Sequence, residues 1–270
     1  MSKAILVVSF GTSYHDTRER TIDAIEEAIA HAYPDYTVYR AWTSGIIRAK
    51  ILKRDGIRIN GVKGALERML LDGISDVIIQ PTHVINGIEN DMMKRDACEY
   101  AGSFNSLIFG SPLLTAEDDN EKITRIIADN FSYLDKADEA LVLMGHGTDH
   151  YSNSVYGALN FRFRDTDHPN IFLGTVESYP SVDSLIKAVK ESGASKVVLA
   201  PFMVVAGDHA ENDLVGSSPD SWKSRFKAAG FEVSCILKGL GEYPEVRELF
   251  VSHVSAAIEM RLNKCVIRNA

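Results

Sequence analysis

Two histidines and a glutamate are the residues of this sequence best suited to hold a metal ion. His146 stands between glycines in Gly145-His146-Gly147-Thr148, directly after the apolar run Ala140–Met144. Glu177 sits in Val176-Glu177-Ser178-Tyr179-Pro180, after the run Asn170–Thr175, and His209 opens His209-Ala210-Glu211-Asn212-Asp213, after Lys196–Ala200. Two imidazoles and one carboxylate form a borderline-soft donor set for a divalent first-row metal such as Co, Ni, Fe or Zn. Three protein ligands leave coordination positions open, as a catalytic site requires. Imidazole must be neutral to bind, so occupancy falls as the pH drops through the histidine range. Each residue also has a plainer reading. His146 fits a hydrogen-bonded turn, Glu177 a solvated loop acid, and Asp208–Asp213 a capping cluster that opens a helix.

An internal repeat sharpens the choice. Ser75–Pro81, Val84–Gly87 and Glu89-Asn90-Asp91 recur as Ser195–Pro201, Val204–Gly207 and Glu211-Asn212-Asp213. Between Gly207 and Glu211 the second copy carries Asp208, His209 and Ala210, where the first has only Ile88. Ile5–Thr12 likewise matches Leu141–Thr148, with Phe10 opposite His146, and Glu177 falls opposite Thr43. A duplicated scaffold with imidazoles in one copy alone suggests one chemical site.

The elements that must position these residues alternate along the chain. The first half predicts strands at Ala4–Ser9, Thr37–Trp42, Val77–Gln80 and Ser106–Phe109, with helices at Arg18–Ala32, Val62–Leu71 and Glu121–Phe131. Gly73 is the expected helix C-cap. The second half predicts strands at Ala140–Met144, Asn170–Thr175, Lys196–Ala200 and Glu232–Leu237, with helices at Val182–Glu191, Asp220–Ala229 and Pro244–Met260. Short apolar strands between helices imply an α/β fold with parallel sheets covered on both faces. Two similar lobes are expected, 1–135 and 136–270, the boundary lying near 130–138. The last helix is free to pack back on the first lobe. Ligands of such sheets bind at the carboxyl ends of the strands, which is where His146, Glu177 and His209 fall. Glu89 occupies the matching loop of the first lobe.

Composition narrows the classes. The chain has 270 residues, 45% hydrophobic and 24% charged, which suits a globular enzyme. Its net charge of −8 argues against a general nucleic-acid binder. No stretch approaches the ~20 apolar residues of a membrane span, and the apolar start reads as a first strand rather than a signal peptide. The spacing of Cys98, Cys235 and Cys265 fits neither a disulfide framework nor a zinc site, so a reducing, cytoplasmic compartment is expected. His83, opposite Met203 in the repeat, reads as packed or hydrogen-bonded. His15, His150 and His168 fall in polar loops, His150 near enough to His146 to support it. His31 and His253 fall on helices and are expected at their surfaces. The basic run Arg48, Lys50, Lys53, Arg54, Arg58 reads as a solvated face or as an attractor for an acidic substrate. Gly11-Thr12-Ser13 lacks the lysine of a phosphate loop and the glycines of a dinucleotide fingerprint.

Taken together, Val7–Asp16, Thr43-Ser44-Gly45, Arg54–Ile57, Ile85-Asn86-Gly87, Met144–Gly147, Val176–Pro180, Val205–Asp213 and Asp220–Lys223 resemble the anaerobic sirohydrochlorin cobaltochelatases, the class II chelatases of cobalamin synthesis. The resemblance covers nearly the whole chain. It implies two α/β lobes with a tetrapyrrole cleft between them, metal ligands at His146, Glu177 and His209, and a cleft glutamate at Glu89. It also implies ATP-independent insertion of Co²⁺ into sirohydrochlorin, the oxidised form of precorrin-2. The metal enters as a substrate, with Fe²⁺, Ni²⁺ or Zn²⁺ as alternatives in vitro. His146 is the expected general base when it is not a ligand, and Glu89 assists proton removal or positions the macrocycle. The anionic substrate calls for local Arg and Lys despite the negative net charge. Two rival readings remain open: iron insertion for sirohaem, and a non-catalytic carrier of metal or tetrapyrrole. Sirohydrochlorin and a divalent metal are the expected partners, with no nucleic acid and no membrane; homo-oligomerisation is left open.

Overall fold

The computed structural model describes residues 2–134, 138–166 and 168–267, with side chains to 260. The chain divides into two compact units, one of residues up to 115 together with those from 244 onward, the other 116–243. The expected boundary at 135/136 falls in 135–137, outside the described residues.

In the first unit the order is β1 (Ser2–Ser9), α1 (His15–Arg18), a π turn (Glu19–Asp23), α2 (Ala24–Ala32), β2 (Thr37–Trp42), α3 (Gly45–Asp55), α4 (Val62–Leu71), β3 (Ile74–Pro81), α5 (Ile88–Cys98) and β4 (Ser106–Phe109). The four strands pair in parallel in the order β2-β1-β3-β4. Successive residues of β1 point to opposite faces, and both faces are buried. Ala4, Leu6 and Val8 join Leu66 and Met69 of α4 and Met93 and Ala97 of α5 in one core. Ile5 and Val7 are equally buried, as are Ile25 and Ile29 of α2. A strand covered on both sides has no use for polar alternation, which explains its continuous apolar run.

The second unit follows with α6 (Glu117–Asn130), β5 (Glu139–Gly145), α7 (Ser154–Asp165), β6 (Ile171–Thr175), α8 (Val182–Ser192), β7 (Lys196–Pro201), α9 (Trp222–Ala228) and β8 (Glu232–Cys235). Its parallel sheet has the order β6-β5-β7-β8, the same topology as the first. The core gathers Ala140, Val142 and Met144 with Leu185 and Val189 of α8 and Trp222 and Phe226 of α9. Ser181 and Ser221 accept the N3 amides of α8 and α9, caps worth about 1 kcal/mol each. The last helix, α10 (Pro244–Ile267), returns to the first unit and packs on α2, β3 and β4.

Three helices go beyond the expected set. Helix α3 buries only Ile51, so its apolar periodicity is weak. Helix α5 buries Asn90 beside Met93 and Ala97. Helix α7 buries Tyr156, Leu159 and Phe163, but Asn160 interrupts that stripe. Asn160 is buried because its Oδ1 accepts the Leu173 amide of β6 at 2.9 Å, and an inward amide with a partner costs little. One expectation is corrected: His253 is buried on α10 rather than at its surface, with Nδ1 3.1 Å from the Ser111 carbonyl.

Candidate metal centre

The carboxyl edge of the second sheet brings three separated side chains together. His146 is the first residue after β5, fixed between two glycines that the packing requires. A Cβ on Gly145 would lie 2.6 Å from a ring carbon of buried Tyr156. Gly147 adopts φ +85°, and a Cβ there would meet Thr175 at 2.8 Å. Glu177 stands beside His146 because the strand pairing continues past β6. The Val176 amide bonds the Gly145 carbonyl and the Glu177 amide the His146 carbonyl, each at 3.0 Å. Asn153 ties the two loops together, accepting the Thr148 amide at 3.1 Å and donating to the Tyr179 carbonyl at 2.7 Å. His209 sits in a helical segment begun just after Gly207 and continued as a π turn, Ala210–Leu214. Such widened turns often mark functional positions.

One donor atom from each of His146, Glu177 and His209 lies within 4.8 Å of the other two. The imidazoles meet edge to face, with ring centroids 4.6 Å apart. His146 Nδ1 lies 3.6 Å from Glu177 Oε2 and 2.8 Å from the Gly147 carbonyl. His209 Nδ1 faces Asp213 Oδ2 at 2.6 Å, from one turn further along. An acceptor facing Nδ1 holds the proton there, so each ring keeps an Nε2 lone pair for a metal. The side chains are 41% (His146), 52% (Glu177) and 35% (His209) exposed. A site this open can exchange its metal, unlike a sealed structural zinc centre.

Two equivalences inferred from the repeat need correction. The Ser44 amide bonds the Phe10 carbonyl as the Glu177 amide bonds that of His146. Ser44, not Thr43, therefore stands where Glu177 does. The Asp91 amide bonds the Gly87 carbonyl as the Glu211 amide bonds that of Gly207. Both helical segments thus start at the glycine, and the position of His209 is held in the first unit by Glu89. The extra residues of the second copy lie within the helical segment, so matching Glu89 to Glu211 by residue type misplaces them. Glu89 lies in the first turn of α5, half-buried.

His83 does match Met203: their carbonyls accept the Leu113 and Leu240 amides in the same way. It is packed, not hydrogen-bonded. Both ring nitrogens are shielded from solvent without a partner, and burial pushes its pKa down to about 4. His150 bonds Ser152 and lies against Tyr151. Two positioning residues escaped the sequence reading. The His209/Asp213 spacing of four was available to find Asp213. Asn153 carried no comparable signal.

The model of the cobalt chelatase (CbiK) family matches residues 3–259. This chain belongs to the CbiK family of cobalt chelatases. It is 41% identical over 264 residues to the sirohydrochlorin cobaltochelatase of Salmonella typhimurium, covering 98% of this chain and 99% of that one. It is 31% identical over 258 residues to the sirohydrochlorin cobaltochelatase CbiKC of Nitratidesulfovibrio vulgaris, covering 95% and 90%. Among solved structures, the sirohydrochlorin chelatase SirB from Bacillus subtilis subspecies spizizenii, in complex with cobalt, aligns with a TM-score of 0.65. That match covers 96% of each chain at 13% identity, and it supports the chelatase fold. No described helix of this family member is long and apolar enough to cross a membrane.

Proposed function

We propose that this chelatase inserts Co²⁺ into sirohydrochlorin without ATP, with His146, Glu177 and His209 as the metal-holding residues. The observation that carries the reading is the convergence of three donor atoms within 4.8 Å at one sheet edge. Insertion requires the enzyme to hold a partly hydrated ion, present it to the ring, and accept the two N–H protons the macrocycle loses. Three protein donors leave positions for water and then for pyrrole nitrogens. Asp213, facing His209 Nδ1 at 2.6 Å, fixes that ring and keeps its Nε2 lone pair available. When released from the metal, His146 serves as the base that takes a ring proton. Glu177 Oε2, 3.6 Å from His146 Nδ1, helps to orient that ring. The role proposed for Glu89, assisting proton removal or positioning the macrocycle, rests on the family resemblance. We place the reaction in the cytoplasm, where free thiols such as Cys98 and Cys235 persist.

Purified protein mixed anaerobically with Co²⁺ and sirohydrochlorin should give the absorbance change of metal insertion. His146→Ala and His209→Ala should each lose it. Full activity in either variant removes that histidine from the mechanism, and tight binding of metallated product without turnover would favour a carrier.

A further inference from the structure

The first unit contains a cavity of about 360 Å³ whose walls include Trp42, Thr43, Arg48, Arg58, Lys63 and Asp96. Its charges are unequally committed. Lys63 is held by Glu99 at 2.7 Å and by Asp96 at 3.8 Å. Among the described residues, neither the Arg48 nor the Arg58 side chain has a hydrogen-bond or ion-pair partner, and Arg48 Nε is buried without one. The Arg48 guanidinium rests on Gly61, where a Cβ would stand 3.1 Å from its Cζ and push it by a few tenths of an ångström. Behind the wall, the indole N–H of fully buried Trp42 and the hydroxyl of Thr43 are unmatched and shielded from solvent. Buried donors without acceptors are uncommon, and each calls for an explanation.

We infer that this cavity is a carboxylate subsite, with Arg48 as its principal anchor and Arg58 as a second cation. A planar guanidinium matches a carboxylate with two parallel bonds. The cavity lies at the small end of ligand pockets, suiting a carboxylate arm and its waters rather than a whole macrocycle. The inference rests on the chelatase reading in one respect: the arm is assigned to sirohydrochlorin, an octacarboxylate. The donor set places a carboxylate there whatever molecule bears it.

Trp42 supplies the readout. The chain has two tryptophans, and the other is Trp222 in the second core, so Trp222→Phe isolates the cavity signal. Metal-free sirohydrochlorin titrated into that variant should quench Trp42 fluorescence. Adding Arg48→Met should weaken binding about 10- to 100-fold, the loss of a charge-assisted bidentate contact. Arg48→Lys should recover part of it, and Arg58→Met alone should lose less than Arg48→Met. Tetrakis(N-methylpyridyl)porphyrin, a macrocycle with no carboxylate, should bind equally well with and without the Arg48→Met substitution. Citrate should compete with sirohydrochlorin when Arg48 is present and not in the Arg48→Met variant. Equal affinity for sirohydrochlorin with and without Arg48→Met overturns the subsite, as does equal loss for the carboxylate-free porphyrin, which would mark a folding defect. The two readings fail separately. Arg48-dependent binding with no cobalt insertion overturns the chelatase reading and leaves the subsite standing; normal insertion with no Arg48 dependence does the reverse.

Discussion

Phe10 and His146 occupy the same place in two sheets of identical strand order. The same is true of Ser44 and Glu177, and of Glu89 and His209. In the second unit all three positions carry the side chains proposed to hold the metal; in the first they carry a half-exposed aromatic, a helix-capping hydroxyl and a carboxylate. The sheets that position them have the same parallel order and the same kind of apolar core. The comparison teaches that scaffold and chemistry separate cleanly here. Residues at the carboxyl edge face solvent in both units, so their identity can change without disturbing the core, and function resides in a few grafted side chains.

The hardest test of that separation is to make the second edge resemble the first. His146→Phe should reduce cobalt insertion by about 1,000-fold or more, since it removes one of the three proposed donors and the proposed base. Thermal unfolding should change little, because a half-exposed edge position contributes little to packing. A large loss of melting temperature with the loss of activity would break the separation. Asp213→Asn comes next. It leaves every donor atom in place but loosens the hold on His209 Nδ1, and Co²⁺ affinity measured by competition titration should fall about 10- to 100-fold. Unchanged affinity would confine Asp213 to the π turn.

The parts of this organisation that depend on repetition were legible in the sequence. Both sets of strands were, because fully covered parallel strands read as short apolar runs. So was the grouping of His146, Glu177 and His209, because each follows such a run, His209 after a short loop. Register within the copies was harder. The match of Glu89-Asn90-Asp91 to Glu211-Asn212-Asp213 is a match of residue types, but hydrogen bonding sets the equivalence at the preceding glycine. A helix winding as a π turn hides that offset. Helices α3, α5 and α7 stayed hidden because their buried faces are short or include Asn90 and Asn160, which break the apolar stripe. The path of α10 could not be read because its target is a surface assembled from distant segments.

A smaller effect separates the units through a buried residue of the first. His83 has Met203 as its counterpart, and burial lowers its pKa to about 4. In the unfolded chain the imidazole takes a proton near its ordinary value of about 6.5. Between those values the unfolded state binds more protons, so stability is present above about pH 6.5 and declines as the pH falls toward 4. At pH 5 the penalty is about 2 kcal/mol. His83→Met should remove that part of the slope when urea midpoints are compared at pH 7 and pH 5. A slope as steep as that of the unsubstituted chain would show that the proton uptake belongs elsewhere.

The smallest effect sharpens the comparison most finely, because it concerns a pair that hydrogen bonding makes equivalent. Ser44 caps α3, its Oγ accepting the Ile47 amide at 3.3 Å. Glu177 precedes no such helix directly; α8 begins at Val182 and takes its cap from Ser181. The carboxylate is thereby released from capping and free to reach toward His146. Ser44→Ala should cost about 0.5–1 kcal/mol in stability, read as a shift in urea midpoint, with Co²⁺ affinity unchanged. Glu177→Ala should do the opposite, lowering Co²⁺ affinity while leaving the midpoint within about 0.5 kcal/mol, as expected of an exposed residue. If Ser44→Ala altered Co²⁺ affinity, the two edges would be coupled, and the chemistry could not be assigned to the second sheet alone.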